Sequence, residues 1–328
     1  LYRAFPRHLL GAVPLLFSTE LTRIGTLDQR VWTSVVNAFL HPAMETFLYN
    51  AENRLREHRA RKPLLIFRND GNSTRVAKTV AIKTYSSGPQ GGVVGGEVLL
   101  KHYGIPAACS IDIGGTTTDI AMFNDSAVAV AQSGHIEGAP VSIPLAAIDS
   151  IGAGGGSIIR AESGKILVGP ESVGAAPGPA CFARGGTKAT MTDAFLALGV
   201  LDPSSYFGGR MPLDRERAER AIMAEVGTPL GLSLAEAAEA MADAYHAKIA
   251  DEIGAWAKGN PDATLLAFGG PGPMPACAVA AQAPLRPAPL PQFPAVSSPY
   301  AIALSSSQPT YTADPAPRRA YAAPPAAP

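Results

Sequence analysis

An α/β fold is predicted by three features of the sequence. Short apolar, strand-like runs alternate with long stretches of helical periodicity, glycine-rich turns sit where the strands should end, and no internal repeat interrupts the order. The chain has 328 residues, 47% of them hydrophobic, enough for one large domain or two small ones with a substantial core. Its formal net charge is zero, which argues against a nucleic-acid partner.

The first element expected is a helix over residues 28–58. Val31, Val35, Val36, Phe39, Leu40, Met44, Phe47 and Leu48 recur at helical spacing, and Pro42 is a candidate break. The basic run 54–62, RLREHRARK, reads as a solvated helix C-terminus whose cations complement the helix dipole. PLLIF, at 63–67, suits a buried strand running into the polar turn RNDGNST. The glycine-crowded stretch from Thr84 reads as a loop feeding a helix that carries Val98, Leu99 and Leu100. Residues 109–130 read as strand, tight turn, strand, a hairpin turn at Asn124 and Asp125, and a third strand. Residues 151–186 are rich in Gly and Pro, as expected of a long loop forming a binding surface. Helices return at 213–226 and 233–258, the second opened by Ser233 with Glu236 three residues on, a capping-box pattern. ATLLAFGGPGPMPACAVA then reads as strand, glycine turn and helix. Proline and alanine dominate from Pro284, and 314–328 is expected to be a disordered tail.

Three cysteines far apart, with no C-x-x-C pair, point to a reducing compartment and a cytoplasmic protein. No apolar run reaches the ~18 residues of a membrane span, and HLLGAVPLLF at 8–17 is too short to span. The chain opens on Leu1 rather than methionine, which fits either an unusual start or a missing N-terminal part.

Four glycine turns are the candidate chemistry. They are SSGPQGG with Gly88, Gly91 and Gly92; DIGGTTTD with Gly114 and Gly115; IGAGGGS with Gly154, Gly155 and Gly156; and AFGGPGP with Gly269 and Gly270. Glycine allows close backbone approach, and successive N–H groups make an anion site. Thr116, Thr117 and Thr118 add hydroxyls. Asp112 is the candidate holder of a magnesium ion through water, and Asp119 either orients water or joins the metal. The alternative is that these are tight turns in a glycine-rich protein. Neither a dinucleotide fingerprint nor a P-loop is present. Asp193 is either a helix cap or a site carboxylate. Cys181 is either a packed thiol or one activated by Arg184. Arg184 and Lys188 are anion contacts or solvated cations, and His102, His135 and His246 read as ordinary surface or core histidines.

DIGGTTTDIAMF resembles the phosphate motif of the superfamily that holds actin, the sugar kinases and the chaperone ATPases. SSGPQGGVVGG, SIDIGGTTTDIA, DSIGAGGGSI, VGPESVGAAPGPACFARGGTKATMTDAFLALG and AFGGPGPMPACA occur here in the order seen in the hydantoinase A / 5-oxoprolinase / ketone carboxylase family, over about residues 21–303. The resemblance implies a ribonuclease-H-like, actin-type ATPase domain over 61–283 with a helical insertion at about 200–260. An N-terminal helical segment at 1–60 precedes it and an extension at 284–313 follows. It also implies ATP and magnesium as cofactors, a small carbonyl or cyclic amide as substrate, phosphorylation of a carbonyl or enol oxygen, and partner subunits that hydrolyse or carboxylate the product. Family members usually carry a further N-terminal domain with its own glycine–threonine motif, and this chain begins roughly where that domain would end. A small subunit of an aromatic ketone carboxylase, a fragment of a full-length hydantoinase or 5-oxoprolinase, and a non-catalytic binding module all remain open. Pro271 and Pro275 stand where the family commonly shows alanine and histidine, and Phe182 and Ala183 where tyrosine and glycine are usual. A proline cannot replace a histidine's proton-transfer capacity.

Overall fold

The structure, a computed structural model, describes residues 17–287. The expectations for 1–16, for most of the C-terminal extension and for the Pro/Ala-rich tail lie outside the described residues.

A single turn, α1 (Ser18–Leu21), leads into α2 (Leu27–Glu57). Thr26 starts α2 through a capping box, exchanging side-chain-to-backbone hydrogen bonds with Gln29. The break weighed at Pro42 does not occur: Thr46 Oγ1 donates to the Pro42 carbonyl at 2.9 Å and the helix runs on. The face that α2 turns inward mixes apolar side chains, among them Val36, with polar ones. Thr33 Oγ1 accepts from the Ser142 amide at 2.9 Å, and Asn37 Oδ1 from the Ile82 amide at 3.1 Å. Leu48 is buried and Val36, Leu40 and Met44 are half-buried, but Val31, Val35, Phe39 and Phe47 face solvent, so the periodicity marks more of the helix surface than is buried.

β1 (Leu65–Phe67) and β2 (Ser73–Arg75) pair antiparallel across the polar turn. α3 (Ser87–Tyr103) begins earlier than the loop expected there, so Gly88, Gly91 and Gly92 lie inside the helix. Gly104, left-handed at φ 66°, ends it. β3 (Ala108–Ile113) and β4 (Thr118–Asn124) form the expected hairpin, followed by β5 (Ala127–Val128). Short strands follow: β6 (Val130–Ala131), β7 (Gly134–Ile136), β8 (Ala139–Val141), β9 (Leu145–Ala146) and β10 (Ile148–Ile151). The Gly/Pro-rich stretch is not one long loop. It contains the hairpin β11 (Ser157–Glu162) and β12 (Lys165–Ser172), turned by Ser163 and Gly164, both at positive φ. Helices α4 (Met191–Ala197), α5 (Arg215–Ile222), α6 (Thr228–Leu230) and α7 (Leu234–Gly259) come next, with the Ser233/Glu236 capping box present. β13 (Thr264–Phe268), α8 (Ala276–Gln282) and β14 (Arg286–Pro287) complete the described chain.

The central sheet has the order β10-β4-β3-β13-β14, with β5 also on β4. β3 pairs antiparallel with β4 but parallel with β13, so the sheet is mixed. Side-chain alternation gives it two apolar faces. Cys109, Ile111, Ile113, Leu265 and Ala267 pack toward Tyr245, Ile249 and Ile253 of α7 and toward α8. Ala108, Ala121, Phe123, Leu266 and Phe268 pack against Val93 and Leu100 of α3. Each large side chain so buried contributes roughly 1.5–3 kcal/mol. Gly96 brings α3 close enough for this, because a Cβ there would sit 2.6 Å from the Phe123 ring.

Candidate functional site

The turn between β3 and β4 is closed by the Gly114 amide, which donates to the Thr117 carbonyl at 2.9 Å. Gly114, Gly115 and Thr116 are exposed and Thr117 is half-buried. Among the described residues, no turn or loop hydrogen bond uses the amides of Gly115, Thr116 or Thr117. A Cβ at Gly115 would meet nothing within 4 Å. The turn is therefore an open cradle of backbone donors with threonine hydroxyls beside it, the arrangement that receives an anion.

Asp112 and Asp119 are direct cross-strand partners at the base of this turn. Both are half-buried and lie on the α3 face of the sheet, by alternation with Ala121 and Phe123. α3 joins β3 through residues 104–107 and packs on this same face through Val93 and Leu100. Ser86, its N-cap, makes no side-chain capping bond, and Gly88 in the first turn has open space where a Cβ would stand. Gly91 and Gly92 are buried deeper in the helix.

The IGAGGGS loop presses on the turn from the side. Gly155 donates to the Gly114 carbonyl at 3.0 Å and Gly156 to the Gly115 carbonyl at 2.7 Å, while the Gly154 amide donates to Ser157 Oγ at 2.8 Å. These three amides are engaged within the protein, so the loop acts as a brace for the cradle. A Cβ on Gly154 would collide with the backbone of Gly115 and Thr116. Thr118 is fully buried and its hydroxyl donates to the Ala153 carbonyl, which places it in the brace too. Thr192 holds the far side, its amide and hydroxyl both donating to the Gly155 carbonyl at 3.0 and 2.8 Å. At the end of β13, Gly269 takes a left-handed φ of 79°, and a Cβ there would run into Asp112 Oδ1 and the Ile113 carbonyl. Gly270 beside it faces open space, and Pro271 lies over Gly155.

Asp193 takes the helix-cap side of its two readings, as the capping-box partner of Thr190 rather than the N-cap itself. It is the third residue of α4, fully buried, and accepts from the amides of Cys181 (2.8 Å) and Thr190 (2.9 Å) and from the Thr190 hydroxyl (2.7 Å). Burial pushes its pKa up, against those hydrogen bonds. Cys181 is a packed thiol, pushed well above its ordinary pKa by burial and then by Asp193. Lys188 pairs with Glu225 at 2.8 Å, and Arg184 is exposed. His102 and His135 are on the surface, whereas His246 is buried. Pro275 occupies the N-cap of α8 without a side-chain capping bond.

Among the described residues no group of three or more His, Cys, Asp or Glu converges on a metal position. Two carboxylates still fit magnesium, which keeps several waters and takes one or two protein carboxylates. The residues that sequence reasoning missed are Thr192, Tyr245 and Lys248, which hold the bracing loop. Lys248 is a lone cation on the face of α7 that carries Tyr245 and Ile249, and that misplaced charge is the one signal the sequence offers.

The hydantoinase/oxoprolinase family model matches residues 30–310. The chain is 34% identical over 281 residues to the acetophenone carboxylase gamma subunit of Aromatoleum aromaticum, covering 82% of this chain and 38% of that one. The nucleotide-free structure of acetone carboxylase superposes with a TM-score of 0.78 at 26% identity, over 88% of this chain and 41% of that chain. The ATP-dependent caprolactamase from Pseudomonas jessenii superposes with a TM-score of 0.71 at 27% identity, over 88% of this chain and 43% of that one. The chain thus spans less than half the length of each of these relatives.

Proposed function

The chain belongs to the hydantoinase/oxoprolinase family, and from that premise we propose that it forms the phosphate-binding wall of an ATP site in an ATP-dependent carboxylase or amide-hydrolysing enzyme. One observation carries the reading: an open turn of unused amides with two facing carboxylates at its base, braced from behind by a second glycine loop. The amides of Gly115 and Thr117 and the hydroxyls of Thr116 and Thr117 hold phosphate oxygens. Asp112, with Asp119 opposite, holds magnesium through water. Gly88 at the start of α3 and Gly270 leave room for the ligand. Gly154, Gly155, Gly156 and Gly269 keep the cradle in shape. Bound magnesium–ATP supplies an electrophilic phosphoryl group able to activate a carbonyl or enol oxygen. The substrate is a small carbonyl compound or cyclic amide, and further subunits or domains complete the reaction. The setting is the cytoplasm, which three free cysteines suit. No helix among the described residues is long and apolar enough to cross a membrane.

A second reading, a nucleotide-binding module without turnover of its own, is favoured by Pro275, which offers no proton-transfer group. Purification from the host together with its natural partners separates the two. ATP hydrolysis stimulated by a ketone, a hydantoin or 5-oxoproline, and abolished by Asp112→Ala, supports the catalytic reading. Magnesium–ATP binding without turnover under any of these substrates supports the module.

A further inference from the structure

The carbonyls of the bracing loop are gripped by one face of α7. Tyr245, fully buried, donates its hydroxyl to the Ala153 carbonyl at 3.0 Å. The same carbonyl accepts from Thr118 Oγ1 of β4. One turn further along α7, Lys248 Nζ donates to the Gly152 carbonyl at 3.1 Å and to the Val168 carbonyl of β12 at 2.6 Å. Residues three apart on a helix share a face, so the two side chains act on consecutive carbonyls from one rigid element. The other edge of the loop faces the cradle, where Gly155 and Gly156 donate to the Gly114 and Gly115 carbonyls.

A continuous hydrogen-bonded path therefore runs from α7, through residues 152–156, to the turn. An apolar side chain at 245 or 248 would pack in the same space, and Tyr245 already lies among the apolar side chains between α7 and the sheet. The polar groups are what the loop requires. A lysine ammonium that gives two hydrogen bonds to carbonyls, half-buried and resisted by desolvation, is a costly choice for packing alone. Its geometry fixes where Gly152 and β12 meet, and Tyr245 fixes the next carbonyl. Together they set the height at which Gly155 and Gly156 meet the turn, and hence the direction of the free amides of Gly115 and Thr117.

We propose that Tyr245 and Lys248 are positioning residues of the anion cradle, acting through the bracing loop rather than on the ligand. The proposal rests on the phosphate-binding reading of the turn. Through this path, the helical layer formed by α4 and α7 governs the shape of the site, with Thr192 of α4 holding the loop's Gly155 carbonyl.

The test uses Tyr245→Phe and Lys248→Met in the whole chain, with two readouts. The first is titration with magnesium–ATP into the millimolar range, followed by backbone amide chemical shifts. The second is amide hydrogen exchange at residues 114–118, with β13 residues 265–267 as the reference for global opening. Tyr245→Phe, which loses one buried hydrogen bond of ordinary strength, should weaken magnesium–ATP binding about tenfold, and Lys248→Met, which loses two, by at least as much. Exchange at 114–118 should rise while exchange at 265–267 holds. If the wild type binds and both variants bind equally well, the positioning role is wrong and the phosphate reading stands. If the wild type shows no binding, the phosphate reading fails, and the exchange readout alone decides whether α7 sets the turn. Exchange that rises equally at both places means a structural role only and overturns the proposal.

Discussion

Asp112 on β3 and Asp119 on β4 stand directly opposite one another, two carboxylates on one face of an antiparallel pair. Like charges placed so repel by up to ~1 kcal/mol, and a cation shared between them relieves that repulsion. A divalent ion should therefore stabilise the fold. The melting temperature of the wild type should rise with millimolar magnesium, while Asp119→Asn should melt higher than the wild type without magnesium and respond less to it. Thermal scans with and without magnesium check this. No magnesium dependence in the wild type would count against a metal at this pair.

Gly115 and Gly154 should part company on substitution. A Cβ at Gly115 meets open space, whereas one at Gly154 meets the backbone of Gly115 and Thr116. Gly115→Ala should keep the melting temperature nearly unchanged and weaken magnesium–ATP binding. Gly154→Ala should cost about 1–3 kcal/mol of stability, as overpacking does. Chemical denaturation with a parallel binding titration reads both effects.

His246 gives a pH dependence of known sign. Its ring is buried beside Phe195 and Tyr245, and neither nitrogen has a hydrogen-bond partner among the described residues. Burial lowers its pKa, opposed by Asp243. The folded protein thus binds the proton less readily than the unfolded chain. The contribution of His246 to stability is present above the ordinary histidine pKa of about 6.5 and is lost as pH falls through the folded value. His246→Leu should flatten that fall between neutral and acid pH. It should also stabilise the fold at pH 7 by roughly 1–3 kcal/mol, because two buried unsatisfied nitrogens disappear. Denaturant midpoints measured from pH 7.5 to 5 test both parts.

The outer face of α2 carries Leu27, Val31, Val35 and Phe39 four residues apart, and Phe39 is 83% exposed. Phe39→Glu should leave stability within about 0.5 kcal/mol, as for surface positions generally. It should also lower binding of a hydrophobic dye and reduce self-association, because it interrupts an exposed apolar stripe. A large drop in the denaturation midpoint would show that this face packs after all.

Elements whose signals are local were legible in the sequence. α7 announces itself by Ser233 and Glu236 followed by a long periodic run, and the β3–β4 hairpin by apolar strands around IGGTTT. β11 and β12 were hidden, because glycines and prolines crowd the residues around them and their pairing depends on the Ser163–Gly164 turn. The inward face of α2 escaped for a different reason. Beside Val36 it docks through Thr33 and Asn37, and a hydrophobic periodicity cannot reveal those polar contacts. At the candidate site, the glycine motifs at 112–119, 151–157 and 267–273 mark loops that meet in the structure, but not their division of labour. Whether an amide at Gly115 or at Gly155 is left open depends on which carbonyl lies within reach, and that is settled by residues about forty positions apart in the chain. Tyr245 and Lys248 sit still farther away.

We propose above all that the turn at 114–117 is a phosphate cradle served by Asp112. Amide chemical shifts recorded during magnesium–ATP titration of the wild type, Thr117→Val and Asp112→Asn test it most directly. The largest shifts should fall on Gly115, Thr116 and Thr117. Thr117→Val should bind about tenfold more weakly, the loss of one hydroxyl contact. Asp112→Asn should weaken binding more with magnesium than without. Shifts clustered elsewhere, or equal affinity in all three proteins, would contradict it and leave the hairpin a purely structural corner of the fold.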